Sequence, residues 1–234
     1  MNDSFDKGGH SVREWCRQEN GRGGIVLNNS RREKSRIKAM IRETSLDDAR
    51  QTGVSDQLKG KTEGVVIWLT GLSGSGKTTT GKALEKYFRD KGFKVEFLDG
   101  DELRRTISSE LGFSKEDRET HARRVAYLGQ LLSRNGVITI VALISPYRAF
   151  REYARNLIGN FVEVWVHCSL ETCIKRDPKG LYKNASRGSI TNMTGIQAPY
   201  EPPLSAEVKI NTEKENPREC AEKIIEFINN IKLK

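Results

Sequence analysis

Val65-Val66-Ile67-Trp68-Leu69, then Thr70, then Gly71-Leu72-Ser73-Gly74-Ser75-Gly76-Lys77-Thr78: this stretch decides how the chain folds. An apolar run of strand length opens into the spacing G-x-x-x-x-G-K-[ST], and a helical pattern continues from Thr79 to about Asp90. Gly71, Gly74 and Gly76 allow a tight turn that brings backbone N–H groups against phosphate oxygens. Lys77 is placed to reach β- and γ-phosphates as a point charge. Thr78 offers a hydroxyl to Mg2+, and the helix opening with Thr79 points its positive end at the anion. A glycine-rich link between strand and helix is the plainer alternative. Strand, loop, Lys-Thr pair and helix together favour a cradle for the phosphates of ATP.

Downstream of this loop the pattern alternates. Apolar runs at 64–70, 94–98, 137–143, 161–166 and 206–210 are the expected strands, and segments near 76–91, 101–109, 115–135, 147–158, 169–176 and 217–232 the expected helices. The middle strands are continuous apolar runs, as strands covered on both faces should be. Asn216-Pro217 supplies a helix start. The expected fold is α/β, a parallel sheet with helices on both faces and a ligand crevice at the carboxyl ends of the strands. Upstream the composition shifts near Gly64. Residues 1–63 are expected to be a polar, partly disordered extension, and Arg31 to Arg50 could form a charged helix through Ile37, Met40, Ile41 and Leu46. The kinase-like domain is expected over 64–234.

A net charge of +9 suggests anionic partners. The basic residues are mixed with acids, and no dense Lys/Arg block carries interleaved aromatics, so a nucleic-acid partner is not expected. No apolar stretch approaches the ~20 residues of a membrane span. The N-terminal stretch lacks the apolar core of a secretory signal. Cys16, Cys168, Cys173 and Cys220 have no metal-ligand spacing and read as reduced thiols of a cytoplasmic protein.

Phe97-Leu98-Asp99-Gly100-Asp101-Glu102-Leu103-Arg104 follows the second strand. Gly100 permits a sharp exit and leaves two carboxylates at the crevice rim. Phosphoryl transfer needs an acceptor-activating base and ligands for hydrated Mg2+, and Asp99 and Asp101 suit both tasks. Asp101 is also read as the cap of a helix beginning at Glu102. Further on, Phe113 offers a face for stacking a base. Arg118, His121 and Arg124 share a helix face and, with Arg104, could surround an anionic acceptor. A solvated charged helix paired with Glu116, Asp117 and Glu119 explains the same residues equally well. In Ile144-Ser145-Pro146-Tyr147-Arg148, Pro146 suits the first turn of a helix, with Ser145 as its cap. The polar segment 177–204, broken by Gly and Pro, is long enough to be a lid over the crevice, with Arg176, Lys179 and Lys183 bringing positive charge to the transferred group.

Five motifs, in this order and spacing, resemble the adenylyl-sulfate kinase family over about residues 62–232. They are Gly71 through Thr79, Leu98-Asp99-Gly100-Asp101 with Arg104, Glu116-Asp117-Arg118 with Arg123-Arg124, Gly136 through Val141 with Ile144 through Arg148, and Arg176 through Tyr182. The resemblance implies a P-loop NTPase-type fold, Mg2+, a mobile lid and a cytosolic homodimer. It also implies ATP-dependent phosphorylation of the 3′-hydroxyl of adenosine 5′-phosphosulfate. By the resemblance, Lys77 and Thr78 serve the ATP phosphates and the metal, Asp99 activates the acceptor, and Asp101 supports it or the metal. Arg104, Phe113, Arg118, Ile144 and Ser145 would contact the acceptor, and Lys183 would close over it with the lid. Ser145 also matches the family's phosphoserine position, whereas in-line transfer to a ribose hydroxyl needs no covalent relay. The chain departs from the family at His121, where Asn is frequent, and at Met193, where Phe is frequent. A kinase for another small hydroxyl acceptor, or an ATP-binding module without turnover, would share the phosphate loop.

Overall fold

In the computed structural model of the chain, which describes residues 64–231, the apolar run before the glycine loop is strand β1 (Val66–Thr70), buried along its whole length. It is the centre of one sheet with β2 (Val95–Asp99), β3 (Ile138–Ala142), β4 (Phe161–His167) and β5 (Val208–Asn211). Every pairing is parallel and the order is β2-β3-β1-β4-β5. The helices are α1 (Lys77–Asp90), α2 (Gly100–Arg105), α3 (Lys115–Ser133), α4 (Arg148–Leu157), α5 (Leu170–Arg176), α6 (Leu181–Ser186) and α7 (Pro217–Asn230).

The pleat of β1 divides the core. Val65, Ile67 and Leu69 pack with Leu84 and Phe88 of α1 and Ile224 and Ile228 of α7. Val66 and Trp68 pack with Val125 and Ala126 of α3 and Phe150 and Ala154 of α4. With both faces covered, β1 and β3 are buried at every position, which is why they read as almost wholly apolar runs, with Thr70 and Thr139 their only polar residues. Each such side chain contributes about 1.5–3 kcal/mol by leaving water.

The strand order places the crevice. The chain leaves β1 for β2, returns to fill the gap with β3, then crosses to β4 on the other side of β1. The connections therefore diverge at the carboxyl ends of β1 and its neighbours, where a ligand fits between them. Caps fix where the helices start. Asn216 accepts from the N–H groups of Arg218 and Glu219, each at 3.0 Å, while Glu219 accepts from the Asn216 N–H at 2.8 Å. Pro217 occupies the first turn, where no N–H is needed.

Three local expectations are corrected. The helix expected over 101–109 is the shorter α2, because the Thr106 hydroxyl turns back onto the carbonyls of Glu102 and Leu103 and the backbone leaves the helical region there. Its cap is Asp99, not Asp101: the Asp99 carboxylate accepts from the Asp101 N–H at 2.9 Å. Helix α4 begins at Arg148 with Tyr147 before it, so Ser145 is not a cap and Pro146 lies outside the helix. Within 177–204 the chain forms α6, whose first turn is held by the Asp177 carboxylate on the N–H groups of Tyr182 and Lys183. Cys168, Cys173 and Cys220 are free and buried. No helix among the described residues is long and apolar enough to cross a membrane. The extension expected over 1–63, with its charged helix and Cys16, lies outside the described residues.

Candidate active site

The carboxyl ends of the strands open onto a cleft of about 1410 Å3. A pocket for one small ligand typically spans about 300–1,000 Å3, so two nucleotide-sized ligands fit side by side. Ser73, Gly74, Gly76, Lys77, Thr78 and Thr79 form one wall. Gly76 caps α1 with φ 98°, and a side chain there would meet Thr212 at 3.2 Å. Both the backbone and the space thus call for glycine. Gly71, Leu72 and Ser75 lie behind this wall. The carbonyls of Gly71 and Leu72 accept from Lys77 Nζ at 3.0 and 2.7 Å. Burial, and then repulsion from Lys179, push the Lys77 ammonium down to about 7, against the pull of Asp99. Phosphate oxygens at this wall would restore its charge.

Asp99 and Asp101 form the rim. The Thr78 hydroxyl donates to Asp99 Oδ2 at 3.0 Å, while Asp99 Oδ1 accepts the Asp101 N–H. One carboxylate therefore ties the phosphate loop to the start of α2. Asp101 pairs with Lys179, reaching across from the 177–204 segment. The strand exit at Gly100 depends on close approach: a Cβ there would lie 2.7 Å from Leu143 Cδ1 and 3.1 Å from the Ala142 carbonyl.

Among the described residues no group of three or more His, Cys, Asp or Glu side chains converges as a metal cage. The Thr78 hydroxyl, with the neighbouring carboxylates of Asp99 and Asp101, is nonetheless the donor set that Mg2+ takes. That ion keeps several waters and completes its shell with one or two carboxylates and substrate phosphates.

The far wall carries Arg104, Phe113, Arg118 and His121. The guanidiniums of Arg104 and Arg118 lie 4.7 and 5.7 Å from the centre of the Phe113 ring, which is 57% exposed. Arg118 also donates to Thr194 Oγ1 at 2.8 Å and to the Asn192 carbonyl at 2.5 Å, tying this wall to the lid segment. His121 is buried, with Nδ1 3.0 Å from Ser108 Oγ and Nε2 without a protein partner. Burial and the charges of Arg104 and Arg124 push its imidazole down to about 4, so it is neutral at physiological pH. Arg124 turns away to the Ile107 carbonyl and Glu110.

Ile144 and Ser145 line the floor. Ser145 adopts φ 38°, and its hydroxyl is held on both sides, accepting from Trp68 Nε1 at 3.0 Å and donating to the Leu143 carbonyl at 3.3 Å. A nucleophile needs a free oxygen and an adjacent base; this hydroxyl has neither, so the geometry gives it a structural place. Lys183 is not brought to the cleft. It lies at a separate pocket of about 210 Å3 with Ile174, Asp177, Tyr182, Ser186 and Ile196.

Sequence reasoning missed several residues here. Thr212 donates to the Ser75 carbonyl at 2.9 Å and, through its hydroxyl and carbonyl, accepts from Arg176 at 3.0 and 2.7 Å, closing the loop side of the cleft. The rule that strand ends line the crevice, applied to β5, would have found it. Thr194 and Asn192 gave no such signal. Met193 is buried in a small cluster with Cys168, Cys173, Tyr182 and Ala185, while the Tyr182 hydroxyl donates to the Ser73 carbonyl at 3.0 Å. The lid segment thus has its own apolar core set against the phosphate loop.

The chain is similar to known proteins in sequence and in structure. The family model described as adenylylsulphate kinase matches residues 63–211. The probable adenylyl-sulfate kinase of Pyrococcus abyssi is 56% identical over 163 residues, which cover 70% of this chain and 94% of that protein. The adenylyl-sulfate kinase of Rippkaea orientalis is 53% identical over 164 residues, covering 70% of this chain and 91% of that protein. The APS kinase of Mycobacterium tuberculosis, solved in complex with AMPPNP and APS, superposes with a TM-score of 0.70 at 36% identity, covering 73% of this chain and 100% of that one. A phosphate loop facing an acid rim across one cleft, and relatives matched over nearly their whole length, lead to one conclusion: the chain belongs to the adenylylsulphate kinase family.

Proposed function

We propose that the protein transfers the γ-phosphoryl group of ATP to the 3′-hydroxyl of adenosine 5′-phosphosulfate (adenylyl sulfate), giving 3′-phosphoadenylyl sulfate and ADP. The observation that carries this reading is the 3.0 Å bond from Thr78 to Asp99, which sets the phosphate loop and the acid rim at one point of a cleft large enough for both nucleotides. The backbone N–H groups of 74–79 and Lys77 hold the phosphates, and Thr212 and Arg176 border the same side. Phe113 stacks on the acceptor's base, Arg104 and Arg118 offset its anionic groups, and Ile144 and Ser145 support it from the floor. His121 Nε2 is available for a hydrogen bond to it.

Asp99 orients the acceptor hydroxyl and takes its proton as the oxygen attacks in line. Lys77 and Lys179 offset negative charge at the transferred group. Mg2+ would be held by Thr78 and Asp101 and, when bound, neutralises the phosphate charge. Lys183 belongs to the lid segment and acts through it. The protein works as a cytoplasmic homodimer, an expectation from the family resemblance that light scattering on the purified chain would test.

The deciding experiment measures ADP release with ATP and Mg2+, with and without adenylyl sulfate, against a panel of other hydroxyl acceptors. Release that depends on adenylyl sulfate supports the reading. Turnover only with another acceptor, or ATP binding without turnover, overturns it.

A further inference from the structure

Arg151 has no part in the chemistry assigned to the cleft, yet it is a charged side chain only 3% exposed. Its guanidinium reaches three separate parts of the chain. Nε donates to Glu163 Oε1 on β4 at 2.6 Å, Nη1 to the Ser145 carbonyl at 2.7 Å, and Nη2 to the Glu201 carbonyl at 2.8 Å. Glu163 is itself fixed, accepting from Arg155 at 3.3 Å while its N–H donates to Glu207 at 2.7 Å. A buried ion pair seldom stabilises a fold more than apolar side chains of the same volume would. Its retention here calls for another gain, and the bonds show where that gain lies.

The Ser145 carbonyl belongs to a turn whose backbone a non-glycine residue rarely adopts, with φ 38°. Such a conformation persists only where the surroundings over-determine it. The same turn is gripped elsewhere. The Ile144 carbonyl accepts from Thr70 Oγ1 at 2.8 Å, and the Pro146 carbonyl accepts from the Glu201 N–H at 2.8 Å. The Glu201 carboxylate in turn accepts from the Arg148 N–H at 2.8 Å. The floor of the acceptor half and the returning end of the lid segment are thereby laced into one piece, with Arg151 at the joint.

We propose that Arg151, oriented by Glu163, is a positioning residue for the acceptor. It sets the Ile144-Ser145-Pro146 backbone against which adenylyl sulfate lies and pins that floor to the Glu201 end of the lid. The proposal rests on the acceptor assignment made above. Its bonds go to Ser145, Glu163 and Glu201 rather than to the phosphate loop, so it acts on one substrate and not on the other.

The test compares wild type, R151K and the double variant R151M/E163Q, which removes both charges so that neither is stranded in the interior. Steady-state constants for each substrate are paired with calorimetric AMPPNP binding and a thermal melt. In the double variant the KM for adenylyl sulfate should rise about tenfold or more, with kcat within about threefold and the KM for ATP and AMPPNP affinity within about twofold. R151K keeps the pair with Glu163 but cannot reach both carbonyls, and its KM for adenylyl sulfate should rise about threefold or more. If the double variant does not fold, R151K carries the test alone. An unchanged KM for adenylyl sulfate, or equal losses toward both substrates, overturns the proposal. Wild type inactive with adenylyl sulfate would instead overturn the reading of the cleft, and the proposal with it.

Discussion

Thr78 and Asp99 meet at 3.0 Å although β3 separates β1, which leads to Thr78, from β2, which ends at Asp99. The contact has a chemical consequence. Under the proposed reaction, the hydroxyl assigned to the metal and the carboxylate assigned to the acceptor are held together, so the distance a phosphoryl group must cross would be set by the fold. Asp99 also caps α2, which fixes its carboxylate before any substrate arrives.

Lys77→Ala should lower kcat by about 10²–10³-fold, the usual cost of removing one preorganised charge from a phosphoryl-transfer site. The thermal melt should stay close to that of wild type, because the substitution also removes a desolvated ammonium from the interior. Turnover within a few-fold of wild type would take Lys77 out of the chemistry.

Lys77 also makes ATP binding proton-linked. With its ammonium near 7, the site above pH 7 is increasingly neutral, while bound phosphates raise the pKa again. Binding at pH 8 should therefore take up protons, approaching one per site, and uptake by Lys77 should vanish below about pH 6, where it is already charged. Calorimetry in buffers of different ionisation enthalpy measures this; no uptake at pH 8 contradicts it.

His121 gives a signature in stability. Its imidazole, at about 4 when folded against an ordinary value of 6.5, favours the folded state most above pH 6.5, and that contribution is lost progressively as pH falls toward 4. His121→Asn, which cannot protonate, should lose less melting temperature between pH 7 and pH 5 than wild type. Parallel melting curves would show that His121 is not desolvated as described.

Ser145→Ala separates a structural hydroxyl from a covalent one. The Trp68 indole N–H would lose its acceptor, costing about 1–3 kcal/mol of stability. Turnover should remain within about tenfold of wild type, since the reaction does not pass through the hydroxyl. Loss of all turnover in a folded variant, or a phosphorylated Ser145 found by mass spectrometry during turnover, would restore the covalent route.

The sequence made the sheet legible because burial on both faces leaves nearly wholly apolar runs at Val66–Thr70 and Ile138–Ala142, with Thr70 and Thr139 the only polar residues, and the loop because its chemistry is local in the chain. The Asp99-Gly100-Asp101 rim was legible for the same reason. Assigning the cap to Asp101 rather than Asp99 missed by two positions, since both aspartates satisfy the capping preference and only the strand's end decides between them. The partners of Arg151, Thr194 and Thr212 were not legible, although the end of β5 marks the place of Thr212. Their roles come from partners far off in the chain: Thr212 meets Ser75 137 positions away, and Arg151 meets Glu201 50 positions away. Such pairings follow from the strand order and leave no spacing to read. Lys183 was read from its charge and from the family resemblance, and α6 turns it toward a different pocket.

Asp99→Asn tests most directly whether one carboxylate joins the two halves of the reaction. Asparagine keeps an oxygen for the Asp101 N–H and turns its NH2 to the Thr78 hydroxyl, which can accept, but it cannot take a proton. ADP release dependent on adenylyl sulfate should fall by about 10²–10⁴-fold while AMPPNP affinity stays within about twofold of wild type. Wild-type turnover in this variant, in protein that still binds AMPPNP, would contradict the role given to Asp99 and the transfer geometry built on it.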